Sequence, residues 1–210
     1  MPMTSRRVSQ VLAKQLVTWR DRRGLSAEQL AGRIADLGGK LNRVAITEIE
    51  TGIRLRISLD EALLLAAALN VPPPLLFFPF ESGERVAVTP KSVIHPDLAY
   101  QWLTGEGWLA ATDRTATGSR EWSEAAFSEA ALPLRLYRSL RKAQDAAHRA
   151  DNRVWAAENI VKDTKEVNRA KQVLADRVAD VVHVMDDMRA AAMKPPNLPK
   201  EWAAMVRKGR

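Results

Sequence analysis

Ile46-Thr47-Glu48-Ile49-Glu50-Thr51-Gly52 decides how the N-terminal part of this chain is read. Isoleucines three residues apart share one face of a short helix, and Gly52 supplies the backbone freedom that ends it. Asn42 is a good N-cap for that helix, because its side-chain oxygen can take up a free amide of the first turn. Upstream, Ser26 and Gln29 form a Ser-x-x-Gln capping box. Leu30, Ala31 and Ile34 give that second helix its buried face, and Gly38-Gly39 stops it. Further back, Val8, Val11, Leu12, Leu16 and Trp19 recur at three- and four-residue steps on a first helix ending near Arg23-Gly24. Downstream, Ser58 caps a fourth helix whose Leu59, Leu63, Ala66 and Leu69 are expected to face the core. Pro72-Pro73-Pro74 ends it, and Leu75-Leu76-Phe77-Phe78 supplies a last apolar plug.

The chain changes character twice more. Residues 81–118 are punctuated by Gly83, Pro90, Pro96, Gly105, Gly107 and Gly118, with room for a short strand at Val86-Ala87-Val88 and a short helix from Pro96 to Leu103. Between Pro133 and Pro195 there is neither glycine nor proline, and helix formers dominate, so long helix is predicted. Ile160, Thr164, Val167, Lys171, Leu174, Val178, Val181, Met185 and Met188 step as a heptad seam, with polar Thr164 and Lys171 at core positions. Leu136, Leu140, Ala143, Ala147, Ala150, Val154, Ala157 and Val161 make a second seam in another phase. The phases disagree over 157–164. Either a coiled coil carries a defect there, or the segment folds as two helices with a break near Asn152 or Lys162.

Charge follows the same three parts. The 210 residues carry a formal +7, with a pI near 10.0. Residues 1–80 hold 11 Lys/Arg against 7 Asp/Glu, residues 81–132 hold 4 against 8, and residues 133–210 hold 17 against 10. Any attraction to phosphate therefore belongs to the two ends. The absence of cysteine excludes disulfides, thiolate zinc sites and cysteine nucleophiles. His95, His148 and His183 lie in unrelated contexts, and there is no Gly-rich phosphate loop. Asp186-Asp187 reads as a solvated helix face. Trp102, Trp108 and Trp122 read as core packing ahead of a ligand pocket. The longest apolar run, Ala62 to Leu69, is far short of a membrane span, and no signal core follows the basic N-terminus. A soluble cytoplasmic protein, nucleoid-associated, without enzymatic activity, metal or cofactor is expected.

A helix, a second helix, a turn and a short third helix make the helix-turn-helix plan. Arg20-x-x-x-Gly24-Leu25-Ser26, Gln29-Leu30-Ala31, the run from Ile46 to Arg54, and Leu59 through Asn70-Val71-Pro72 resemble the XRE-type (lambda-repressor-like) regulators over about residues 8–79. The resemblance implies a third helix lying in the major groove of double-stranded DNA, with Arg43, Val44, Thr47 and Glu48 at base edges. Asn42 and Thr51 resemble the family's phosphate-contacting caps, and Arg54 and Arg56 are placed to neutralise backbone phosphate. Arg20 and Glu50 are implied as a buried structural ion pair. Two features depart from the pattern. Ala27 stands where the family usually has a phosphate-binding Gln, and the link Ala35-Asp36-Leu37-Gly38-Gly39-Lys40-Leu41 is longer than the usual tight turn. That link, the proline run after the fourth helix and Lys194-Pro195-Pro196-Asn197-Leu198-Pro199 resemble a subgroup of such regulators from high-GC bacteria and their phages.

The expected architecture is all-α: a compact helix-turn-helix domain (1–80), a small mixed connecting region (81–132), a long coiled coil or helical hairpin (133–194) and a tail (195–210). The expected function is sequence-specific transcriptional regulation by a homodimer paired through residues 133–193 on a palindromic site. The alternative is an interaction or scaffold protein whose N-terminal domain anchors it. No membrane partner is expected.

Overall fold

The computed structural model describes residues 6–109 and 123–208, so Trp122 lies outside the described residues. The chain divides into two compact units, one up to residue 124 and one from residue 125. No helix among the described residues is long and apolar enough to cross a membrane.

The first unit is built on α1 (Val8–Arg22), α2 (Ala27–Asp36), α3 (Arg43–Glu50), α4 (Leu59–Leu69) and the single turn α5 (Pro74–Phe77). Its core joins Leu12 and Leu16 of α1, Leu30 and Ile34 of α2, Ile46 and Ile49 of α3, and Leu65, Ala66 and Leu69 of α4 around Leu76. Burying each of these larger side chains stabilises by roughly 1.5–3 kcal/mol. On α4 the inward face differs from the expected one. Leu59 and Leu63 are exposed, while Ala62, Leu65 and Ala68 are buried beside Ala66 and Leu69. An eleven-residue helix rich in leucine and alanine has apolar candidates on every side, so periodicity alone does not choose its core face.

Caps hold these short helices in place. Ser26 Oγ accepts from the Gln29 amide while Gln29 Oε1 accepts from the Ser26 amide, and Ser58 with Glu61 repeats the arrangement on α4. Asn70 closes α4 in the left-handed region at φ 53°, and Arg23 donates to the terminal carbonyls of Leu69 and Asn70. The long α2–α3 link is a packed structure. A Cβ on Gly39 would lie 2.3 Å from Leu64 Cδ2 and 2.7 Å from Ile34 Cγ2, so the chain passes α4 only because residue 39 has no side chain. Leu41 then anchors the link in the core.

Residues after Phe80 are more than a connection. β2 (Val86–Thr89) and β3 (Ser92–Ile94) form a hairpin, and β1 (Arg6–Arg7) pairs in parallel with β2, Arg6 opposite Val86. With α6 (Pro96–Leu103), the sheet closes a second small core of Val11, Phe78, Val86 and Ala99. Edge-to-face contacts run from Phe77 through Phe78 and Phe80 to Tyr100. The unit is thus α-helical with a three-stranded sheet at its base. Trp102 lines a mainly apolar cavity of about 350 Å3 with Phe77, Phe78, Leu59 and Val88.

The second unit is a helical hairpin preceded by the short helix α7 (Glu124–Ala130). α8 (Leu132–Ala156) runs into a wide turn of π-helix, Ala157–Val161, and after Lys162 the chain returns as α9 (Thr164–Ala190). Lys162 takes the left-handed conformation at φ 58°, and Asp163 caps α9 by accepting from the Lys165 amide. On α8 the buried or half-buried seam is Leu136, Leu140, Ala143, Ala147, Ala150, Val154 and Ala157. Val161 of the expected seam is exposed. On α9 the seam is Val167, Ala170, Leu174, Val178, Val181, Met185 and Met188. Ile160, Thr164 and Lys171, expected at core positions, face solvent, and Ala170 takes the place in the interface that the heptad gave to Lys171. Of the two arrangements left open by the seams, the chain takes the second: two helices broken at Lys162 that cover each other. The segment after Pro195 carries α10 (Lys200–Lys208), whose Trp202 is only 3% exposed and packs at a tilt against His148, ring centroids 4.7 Å apart.

Candidate nucleic-acid interface

α3 begins at Asn42, whose Oδ1 accepts from the Ala45 amide at 2.9 Å. Ile46 and Ile49 are fully buried, which fixes the rotation of the helix and turns Arg43, Val44 and Thr47 to solvent. Val44 is 63% exposed, an apolar side chain on an otherwise polar face. Thr47 and Thr51 return their hydroxyl protons to the carbonyls of Arg43 (3.0 Å) and Thr47 (2.8 Å), which leaves their oxygen lone pairs and methyl groups outward. Glu48 is half-buried at the edge of this face. α2 and α4 both carry acid in their first turn, but α3 carries none. Its free amides and Arg43 therefore present an uncompensated positive end, suited to an anion or a base acceptor.

Four arginines meet different fates. Arg43 and Arg56 have no ion-pair partner among the described residues and are exposed. Arg54, placed by sequence at the DNA backbone, is already engaged: its Nη2 lies 2.6 Å from Glu61 Oε1. Its amide also donates to the Glu48 carbonyl at 2.9 Å, so Arg54 ties the end of α3 to the start of α4. The fourth, Arg20, pairs with Glu50 through Nε (2.6 Å) and Nη2 (3.3 Å), and donates from Nη1 to the Leu25 carbonyl (2.8 Å). This hydrogen-bonded carboxylate raises the arginine above its ordinary pKa against the opposing effect of burial. Arg20 and Glu50 join the first helix to the last residue of α3. Sequence reading did not single out Ile53, which at 79% is the most exposed large apolar side chain of the described residues and projects just past Gly52. Its isolation between Gly52 and Arg54, outside any apolar stripe, is the signal that marks it.

Glu61 carries the electrostatics of the loop. Burial pushes its carboxyl up, but the Ser58 amide and the Arg54 guanidinium outweigh that and leave it below its ordinary value. A lowered carboxylate contributes stability that is present above the ordinary glutamate pKa and lost as pH falls through the folded one. Glu61→Gln keeps the cap acceptor and removes the charge. It should cost about 0.5–1 kcal/mol at pH 7, and its deficit relative to wild type should shrink below about pH 4. Urea midpoints at pH 7 and pH 3 check this; a deficit equal at both would assign Glu61 to capping alone.

The histidines do not converge. His95 caps α6, His148 packs at a tilt against Trp202, and His183 stands 3.9 Å from Asp187 on exposed helix surface. Asp186 pairs with Arg189 on that same exposed surface.

Compared with known proteins, residues 16–76, from mid-α1 through α5, match the Helix-turn-helix family. No curated protein and no solved structure matches the chain. The chain carries an XRE-type helix-turn-helix domain, the DNA-binding module of transcriptional regulators.

Proposed function

We propose that the protein is a sequence-specific transcriptional regulator that reads duplex DNA through the exposed face of α3. The observation that carries this reading is the rotation of α3, locked by Ile46 and Ile49, which leaves Arg43, Val44 and Thr47 facing outward at an unneutralised helix start. Arg43 suits the paired acceptors of guanine and Val44 a thymine methyl, with Thr47 and Glu48 completing the row. Asn42, Thr51 and Arg56 serve phosphate. Arg54 acts through Glu61 by holding the loop that presents Arg56.

A single short recognition helix contacts only a few base pairs, so a specific site calls for two copies. The seam that suggested a coiled-coil dimer is occupied within the chain. In this reading two copies meet on a palindromic site, and the free protein is a monomer.

Selection of bound duplexes from a random library tests the reading. A recurrent palindrome with half-sites about one helical turn apart, or a multiple, is the expected result. On the selected site Arg43→Ala should lose about 1–3 kcal/mol and relax preference at one base pair. Equal losses on selected and random DNA would make Arg43 a phosphate contact instead.

A further inference from the structure

α8 carries its cations in a line. At about 100° per residue, Arg135, Lys142, Arg149 and Arg153 fall within roughly 40° of one another around the helix and extend along ~27 Å of it. All four are exposed. The buried seam of α8 lies about a third of a turn away, so the line looks to solvent and not toward α9. Asp145 borders it, and Asp151 lies on the far side.

These charges are not neutralised within the hairpin. Arg135 gives one N–H to Ser128 Oγ at 2.8 Å, and Lys142, Arg149 and Arg153 have no hydrogen bond or ion pair among the described residues. α9 behaves oppositely: Lys171 pairs with Glu158, Arg177 with Asp180 and Arg189 with Asp186. Like charges at four-residue spacing, as in Arg149 and Arg153, weaken a helix, and acids at alternate positions would have strengthened this one. Packing therefore gives no reason for the line. A polyanion does.

We propose that this face of α8 binds the sugar-phosphate backbone of the duplex that α3 reads, adding sequence-independent contacts from the second unit. The inference rests on the reading of α3 as the DNA-reading helix. Large apolar side chains are absent from the line, since Tyr137 and Trp155, the exposed aromatics of α8, project from another side. That composition suits phosphate and not an apolar protein partner. Tethering to a head already on DNA raises the local concentration of phosphate around the hairpin.

The test uses the full chain, with fluorescence anisotropy on a random-sequence 30-base-pair duplex and on the selected site, across a salt series. Replacing Arg135, Lys142, Arg149 and Arg153 together by Gln should reduce the slope of log affinity against log salt by about 3.6. Affinity should fall at least about tenfold at 0.1 M salt, by the same factor on both duplexes. Arg177→Gln with Arg189→Gln on α9 should leave the slope unchanged. An unchanged slope in the α8 variant, with Arg43→Ala still losing specificity, overturns the proposal while the α3 reading stands. A slope that falls only in the α8 variant, with Arg43→Ala inert, supports phosphate binding by α8 and overturns α3 as the helix that reads the same duplex. Wild-type DNA affinity with an altered mass in light scattering also overturns it, assigning the line to a second copy. Should the fourfold variant lose helicity, Arg149→Gln with Arg153→Gln alone should lower the slope by about 2, and no change there overturns the proposal.

Discussion

Glu50→Ala should lower the stability of the N-terminal unit by roughly 3 kcal/mol, the largest loss expected from any single polar substitution in it. Glu50 and Arg20 are only 10% and 17% exposed at their side chains, and the carboxylate accepts two guanidinium bonds. Without it, Arg20 keeps the Leu25 carbonyl and the more exposed Asp21, but a buried face of its charge has no counterion. For a unit of this size the melting midpoint should drop by roughly 12–20 °C. Amide exchange in the full chain locates the effect: protection should fall in α1 through α4 and stay in α8 and α9. Glu50→Gln, which retains acceptor and shape, should recover part of the loss. A melting curve unchanged by Glu50→Ala would show that the pair is surface decoration.

Val178→Asp should have a larger effect in the other unit, about 4 kcal/mol or more, because the new carboxylate has no partner among Leu174, Val181 and the alanines of α8. Val178 is 1% exposed. The hairpin should lose most of its cooperative melting by circular dichroism, while protection in α2 and α3 persists. The companion measurement separates a seam closed within one chain from one closed between chains. The wild-type midpoint should be the same across a hundredfold dilution, whereas a midpoint rising with concentration would mean pairing between copies.

The head was legible because its punctuation is written in residue types with definite backbone roles. Ser26 with Gln29, Asn42 and Gly52 each announce a helix end, and all appear where the sequence places them. The hairpin was half legible. On α8 the seam from Leu136 to Ala157 is continuous at steps of three and four, with no competing phase. At the turn the punctuation is missing, because Lys162 occupies the left-handed region that glycine or asparagine usually marks. The heptad could therefore be extended backward through Lys171 and Thr164, where Ala170 and Val167 make the contact. Alanine is small enough for close helix approach, yet it weighs little in a hydrophobicity pattern. The pairing of Arg54 with Glu61 was not legible for another reason. A basic residue after the recognition helix looks the same in sequence whether it meets phosphate or Glu61, and the meeting depends on how the 55–58 loop folds back. The sheet was least legible, since β1 consists of two arginines.

Those two arginines set an order of events. Arg6 finds its place opposite Val86, so the base of the head needs a stretch of chain made long after α1. At ribosomal rates of about 5–20 residues per second, several seconds separate the two strands. During that interval α1 to α4 can already assemble, since their contacts are local, while Val11 and Phe78 wait uncovered for Val86 and Ala99. The nascent head is thus competent to hold its recognition helix before its floor is laid. A fragment cut at residue 80 would stay in that unfinished condition permanently, with a greasy underside and a tendency to cluster.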